Sequence, residues 1–404
     1  MDGIRTAGAA RVVRGRSGTP GPDAGPRLSP PARPTLRDRW RALRDRLLTS
    51  PAFHRRAAAF PLTRPFVRSD ARALFDVVAG FTYSQVLLAC VRLRVFDILA
   101  DGPLAADELA RRIGLPADGA ARLFAAAASL DLMEARDDGR WGLGRLGAPI
   151  VALPSVAAMV EHHATLYQDL SDPVALLRGE RDTSMSVYRP YAATAPCPVP
   201  ERLETSRVAE YSELMAVTQP MVAEQVLDAY PLARHRRLLD VGGGDGAFLM
   251  KVAERAPALE LMLFDLPAVA ERAQARFARA GLAHRAQAHG GSFLTDPLPT
   301  GADVITLVRV LFDHPDERVL AILRAARAAL PEHGTLLVCE PMSGTPGAEA
   351  IGDAYYGLYL LAMGKGRSRT PARIESLLHD AGFASVDLLP TRLPLQTRVL
   401  RARP

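Results

Sequence analysis

One stretch of this chain, Leu238-Leu-Asp-Val-Gly-Gly-Gly-Asp-Gly-Ala-Phe248, reads as a buried strand that runs straight into a glycine-packed turn. An apolar run can bend sharply at its end and lay its backbone against a ligand only where Cβ atoms are missing, which Gly242, Gly243, Gly244 and Gly246 provide. Asp265 ends the next apolar run, at the spacing of a carboxylate that takes ribose hydroxyls. Together they predict an adenosine-type cofactor. Gly242-x-Gly244-x-x-Ala247 also satisfies the dinucleotide fingerprint, so a nicotinamide-dependent dehydrogenase remains open on this pattern alone.

With 404 residues, 48% of them hydrophobic, the chain can bury a substantial core, and its length suggests two globular units with an appendage. Cys90, Cys197 and Cys339 are far apart and odd in number, without disulfide or metal spacing, so they read as buried apolar groups in a reducing compartment. A cytoplasmic protein is expected, because the N-terminus lacks the apolar core of an export signal and no run reads as membrane-spanning. Residues 1–70 carry 15 Arg against 5 Asp, which leaves the remainder at a net −4, so the basic character belongs to the leader. Residues 1–34 are rich in Pro and Gly without periodicity and are expected to form a disordered basic tail. Residues 35–70 follow as a basic amphipathic helix and linker, with Leu36, Trp40, Leu43 and Leu47 at helical spacing beneath an arginine-rich face. Such a helix either packs on the body of the protein or lies in a membrane interface.

Residues 71–150 have the outline of a winged helix: Leu109 to Pro116, a helix near 117–130, then a hairpin near 132–141. A DNA-binding regulator is a competing class, but its recognition helix would offer only Arg122 as a contact. An apolar helix of this kind belongs inside a protein interface. Residues 151–230 read as linking helices with an irregular stretch at 189–200. Within residues 231–404 the pattern alternates: strand 259–265, helix 267–280, strands near 286–288 and 303–308, helix 316–329, strand 335–340, helix 369–381, and two closing β runs at 385–389 and 396–401. Alternation predicts a parallel sheet wrapped by helices, and the closing hairpin favours a Rossmann-like, seven-stranded methyltransferase sheet over a dinucleotide domain.

Five stations occur in a recognisable order: Asp240 to Gly246, Phe264-Asp-Leu-Pro267, Gly290-Gly-Ser-Phe293, Leu307-Val-Arg-Val-Leu-Phe-Asp-His314 and Val338-Cys-Glu-Pro341. In these, residues 71–404 resemble the O-methyltransferases in which a dimerising winged-helix domain precedes a catalytic Rossmann-like domain. Pro61 to Pro65, the stretch Gly80 to Leu99 and the basic leader are similar to the bacterial carotenoid branch of that family. The resemblance implies S-adenosyl-L-methionine as cofactor, a homodimer built through the N-terminal domain, and methylation of the hydroxyl of an acyclic carotenoid. A bacteriochlorophyll precursor or an aromatic polyketide is the alternative acceptor. It further implies a protein loosely associated with the photosynthetic membrane, where an apolar substrate resides.

Carried over by position, the resemblance puts Asp240, Gly242, Gly243, Gly244, Asp265, Leu266, Ser292, Phe293, Arg309 and Met215 at the cofactor. Asp265 would bind the ribose hydroxyls, Ser292 and Phe293 would flank the adenine, and Met215 would approach the reacting methyl or serve as ordinary helix core. Where relatives carry a general-base His, this chain has Phe312, which cannot accept a proton. Asp313 and His314 remain as candidate bases, although Asp-His-Pro-Asp-Glu before an apolar helix also reads as an N-terminal cap. Glu340 matches a glutamate that steadies the catalytic His, and a second such glutamate is replaced near Ser368. Tyr355, Tyr356, Tyr359 and Met363 are expected to line an acceptor tunnel or to serve in packing. His162 and His163 face the same region without a third ligand, so no metal is inferred.

Overall fold

The computed structural model describes residues 35–188 and 218–404. The expected disordered tail, residues 1–34, and Met215 lie outside the described residues. The chain divides into two compact units, one ending at Gly80 and one spanning Phe81–Pro404.

The first unit begins with the amphipathic helix Leu36–Leu48, started by a capping box in which Thr35 and Asp38 satisfy each other's free backbone N–H groups. None of its residues is buried, and Leu36 and Trp40 are 81% and 70% exposed. Ser50 caps the next helix, Pro51–Ala59. The long helix Arg64–Arg92 then carries the chain into the second unit. It corrects one expectation: it is long and apolar enough to cross a membrane, with a window of mean hydropathy 1.6 of which 11% is buried. Small and hydroxyl-bearing residues break up its apolar run, so the segment does not read as a continuous greasy stretch, yet between Ala73 and Val91 Asp76 is its one charge.

In the second unit, helices Val95–Ala100, Ala106–Arg112 and Ala117–Ser129 pack with the two-stranded wing β1 (Met133–Ala135) and β2 (Trp141–Leu143). Ala120, Phe124 and Ala127, the apolar face of the would-be recognition helix, are spent on this domain's own core beside Leu109 and Met133. Helix Pro154–Asp169 follows, and residues 218–229 are helical.

A seven-stranded sheet dominates the remainder: β3 (Arg237–Val241), β4 (Glu260–Asp265), β5 (Ala286–Gly290), β6 (Val304–Val308), β7 (Thr335–Glu340), β8 (Ser385–Leu389) and β9 (Arg398–Arg403), in the order β5-β4-β3-β6-β7-β9-β8. β3 to β7 are parallel, and β9 inserts antiparallel between β7 and β8. That is the expected fold, α/β with a hairpin-closed methyltransferase sheet. Every residue of β6 and β7 is buried, as a strand covered by helices on both faces must be. The strand order reverses between β3 and β6, so a crevice opens at their carboxyl ends.

Candidate active site

The glycine turn leaves β3 at this crevice. Gly242 has φ +72°, and a Cβ there would stand 2.9 Å from the Val310 side chain. At Gly243 a Cβ would meet the Asp240 carboxylate at 2.6 Å. The turn therefore lies flush on the strand ends because it carries no side chains. It also donates to its neighbour strand: Gly244 N–H reaches Asp265 Oδ2 at 2.8 Å, while Leu266 N–H reaches Oδ1 at 2.7 Å. Burial pushes the Asp265 carboxyl up, and these two N–H groups pull it back toward the charged form.

Beneath the turn Asp240 is 1% exposed and takes a 2.6 Å hydrogen bond from Thr306 Oγ1. Its Oδ2 has no hydrogen-bond partner among the described residues. Desolvation, with the Asp265 charge adding to it, raises its carboxyl to about 7 despite the Thr306 bond. Asp240 thus supports the turn, its carboxylate close against Gly243.

The other wall comes from the segment after β6. Arg309 turns the chain at φ +57° and its guanidinium holds Thr218 Oγ1 at 2.9 Å and the Gln219 side chain, tying the strand end to the 218–229 helix. Phe312 is buried and its ring meets Tyr356 at 6.4 Å, which fits a packing role for the residue standing in place of a base. His314 is 7% exposed and its ring stands edge-on to Phe293 at 5.5 Å. Phe293 in turn lies within 3.9 Å of where a Gly242 Cβ would be, so it stands between the His314 ring and the glycine turn in a chain of contacts. Ser292 takes part in its own turn, accepting from Leu294 N–H at 3.3 Å, while its N–H donates to Asp296.

The capping role read for Asp313 is not what the structure shows. Helix Asp316–Ala329 has Pro315 at its N-cap, and Asp313 closes a short 3₁₀ turn, Leu311–Asp313, one step earlier. Proline fixes the entry angle there, and the first-turn acid Asp316 is taken by Arg369 and Arg373 at 2.7 and 2.6 Å.

Glu340, at the end of β7, is fully buried and accepts from Phe312 N–H at 3.1 Å. Burial raises its carboxyl to about 7, against the nearby Arg369 charge and the backbone bonds from Phe312 and Leu311. It steadies the 311–314 backbone through the N–H groups of Phe312 and Leu311. Arg369 was missed by sequence reading. It is 2% exposed and donates to Leu311 O at 3.0 Å and His314 O at 2.6 Å. Nothing in Arg-Ser-Arg-Thr370 distinguishes it from the surface arginines around it; its role comes from the fold. Thr306 and the Thr218–Gln219 pair were missed for the same reason.

A second polar–aromatic group adjoins this wall. Tyr355, Tyr356 and Tyr359 pack with Leu360 and Met363 against Leu166, Met185 and Phe312. His163 Nε2 lies 2.8 Å from Tyr355 Oη and His162 Nε2 lies 3.0 Å from Tyr359 Oη. The two histidines are engaged with tyrosines and not with each other.

Comparison with known proteins bears on this arrangement directly. Residues 167–384 match the O-methyltransferase domain family, and residues 75–150 match the O-methyltransferase dimerisation domain. Demethylspheroidene O-methyltransferase of Cereibacter sphaeroides is 44% identical over 378 residues, which is 93% of this chain and 98% of that one. The enzyme of the same name from Rhodobacter capsulatus is 42% identical over 358 residues, 88% of each chain. Among solved structures, the S-adenosylmethionine-dependent methyltransferase SibL aligns with a TM-score of 0.70 at 26% identity, over 82% of this chain and 98% of that one. The cofactor is S-adenosyl-L-methionine, and the residues present fit it: a turn without side chains, open beside Gly244, with the Asp265 carboxylate hydrogen-bonded to that same glycine.

Proposed function

The chain belongs to the O-methyltransferase family, and from that premise we propose that it methylates the hydroxyl of an acyclic hydroxylated carotenoid. What carries this reading is the likeness to two relatives named for demethylspheroidene, 44% and 42% identical over 93% and 88% of the chain. The apolar, tyrosine-rich wall around Phe312 supports it, since a long polyene end needs such a lining. Labelled S-adenosylmethionine, incubated with the protein and a 1-hydroxy acyclic carotenoid, should leave its label on the carotenoid oxygen. Label on phenolic or bacteriochlorin acceptors instead would sink the reading.

When bound, S-adenosylmethionine supplies a methyl group already activated by its sulfonium. Asp265 and the glycine turn would hold that group, and Phe293, Phe312 and Tyr356 would exclude water from the path of the methyl. Holding two reactants in line can contribute about 7–11 kcal/mol, so positioning supplies much of the rate. A tertiary carotenoid alcohol is barely acidic and gives up its proton late, after its oxygen has begun to bond to carbon. His314, edge-on to Phe293, then assists without dominating. His314→Ala is expected to lower kcat by less than about tenfold at saturating cofactor, well below the ~10²–10⁴ of a full general base. A loss of thousands-fold in a rapid-quench assay would show that positioning is not the main term.

The same reading has residues 75–150 joining two copies in a homodimer, and it places the protein in the cytoplasm, resting on the membrane that dissolves its substrate. The wholly exposed helix Leu36–Leu48 supports this, with Leu36, Trp40 and Leu43 on one side and Arg37, Arg41 and Arg44 around them. Each arginine near an anionic surface adds about 1 kcal/mol. The full chain should cosediment with phosphatidylglycerol-containing vesicles and detach on Trp40→Asp or in high salt. Equal sedimentation with neutral vesicles would argue against it.

A further inference from the structure

We infer that Tyr355 and His163 form the site that holds the acceptor's hydroxyl and receives its proton, which leaves His314 the minor assisting role given to it above. The inference rests on the acceptor being an alcohol, as proposed above, and it assigns that alcohol a binding partner that Phe312 cannot be.

Position comes first. Tyr355 ends a π-helical turn, Ala350–Tyr355, which passes directly into the α-helix Tyr356–Met363. Such widened turns re-aim side chains and recur at functional sites. This one is pinned to the active-site edge of the sheet. Gly352 lies so close to the chain just past β7 that a Cβ there would stand 2.7 Å from Met342 O, and Gly344 N–H donates to Asp353 at 3.3 Å. The widened turn therefore hangs from the carboxyl end of the strand that carries Glu340. Ring contacts lead from it back to the crevice: Tyr355 meets Tyr356 at 4.9 Å, and Tyr356 meets Phe312 at 6.4 Å.

Chemistry comes second. In an apolar lining an acceptor oxygen needs a polar partner, because an unpaired buried hydroxyl is costly. Tyr355 is half-buried, and His163 stands 2.8 Å behind its hydroxyl, with the two rings edge to face at 5.4 Å. Burial lowers the affinity of the His163 ring for a proton, so near neutral pH it is the neutral imidazole, able to accept. The Tyr359–His162 pair repeats the motif one helical turn on, but Tyr359 is 7% exposed and stacks behind Tyr355 at 5.7 Å. Tyr359 is the more buried layer, and Tyr355 is the one assigned to the acceptor.

With the imidazole proton on Nδ1, the step balances. The alcohol oxygen forms its bond to the methyl carbon as the carbon–sulfur bond breaks, and that electron pair leaves with sulfur. The alcohol proton passes to Tyr355 Oη while the tyrosine proton passes to His163 Nε2. The imidazolium then returns its proton to solvent after the ether departs.

Four variants test this with a 1-hydroxy acyclic carotenoid and labelled cofactor. Tyr355→Phe removes one oxygen, and His163→Gln keeps an acceptor for the tyrosine while removing the base. Each is expected to lower kcat about a hundredfold, within the range of proton-transfer assistance, with the dissociation constant for S-adenosylhomocysteine and the melting temperature unchanged. Tyr355→Phe should also raise KM severalfold, and His163→Gln should not. Tyr359→Phe and His162→Gln should retain activity within about threefold. Full activity in His163→Gln, or equal losses in both pairs, would overturn the inference and leave the carotenoid reading standing. A wild-type protein that methylates no carotenoid alcohol would overturn both.

Discussion

Replacing Asp265 with Asn should weaken binding of S-adenosylhomocysteine by about a hundredfold or more while leaving the protein folded. The carboxylate sits at the end of β4 with both oxygens already taken by Gly244 and Leu266 N–H groups, at 2.8 and 2.7 Å, so its orientation is set before any ligand arrives. A carboxylate oxygen has two lone-pair directions, which leaves each of them one to offer a ribose hydroxyl. Hydrogen bonds to a charged group are worth about 1.5–3 kcal/mol each, and two of them correspond to two or more orders of magnitude in affinity. The amide has a further cost. Its NH₂ must face one of the two backbone donors, so the turn moves or an N–H is left unpaired. Calorimetric titration checks the first effect and a thermal scan the second. A dissociation constant within fivefold of wild type would show that the ribose lies elsewhere.

The elements legible in the sequence are those whose signals are local. The glycine turn, the carboxylate after the next strand and the closing hairpin each follow from a run of a few residues, and β7 and β8 carry the expected bounds Thr335–Glu340 and Ser385–Leu389. The wing and the last strand are displaced by a residue or two, because their register is fixed by partners and not by periodicity: β9 runs Arg398–Arg403, set by β7 on one side and β8 on the other. What stayed hidden is long-range. His163 and Tyr355 are 192 residues apart, and His162 and Tyr359 are 197. Neither pair leaves a trace in spacing, although all four residues stood out by type. The π turn before Tyr356 is hidden too, since it answers to the close approach of Gly352 to Met342. At Asp313 the local signal misled: the right capping residues were present, but the N-cap is Pro315, two positions later, and the acid that matters, Asp316, faces Arg369.

Arg369→Met should destabilise the protein by about 3–5 kcal/mol, because it strips three backbone carbonyls of their donor at about 1–3 kcal/mol each and leaves Asp316 with Arg373 alone. At roughly 1 °C per kcal/mol for a chain of 404 residues, the melting temperature should fall by about 4–6 °C. The size of the effect follows from how many groups the guanidinium satisfies at once. It pairs with Asp316 at 2.7 Å and closes the carbonyls of Leu311, Arg367 and His314 at 3.0, 3.2 and 2.6 Å. Methionine fills the space but leaves those acceptors unpaired, and Lys cannot reproduce the fork. The loss should also depend on pH, and Glu340 sets the direction. Burial raises its carboxyl from 4.5 to about 7, with the Arg369 charge opposing the rise. A carboxyl that binds its proton more tightly in the folded state costs stability as pH climbs from its unfolded value to its folded one. Without Arg369 that window extends further upward, so the deficit at pH 8.5 should exceed the deficit at pH 6. Urea unfolding of both proteins at the two pH values measures this, and an identical deficit at both would mean that Arg369 acts through its hydrogen bonds alone. Activity should fall with stability, because the carbonyls it holds belong to the segment that carries Phe312 and His314 against the crevice.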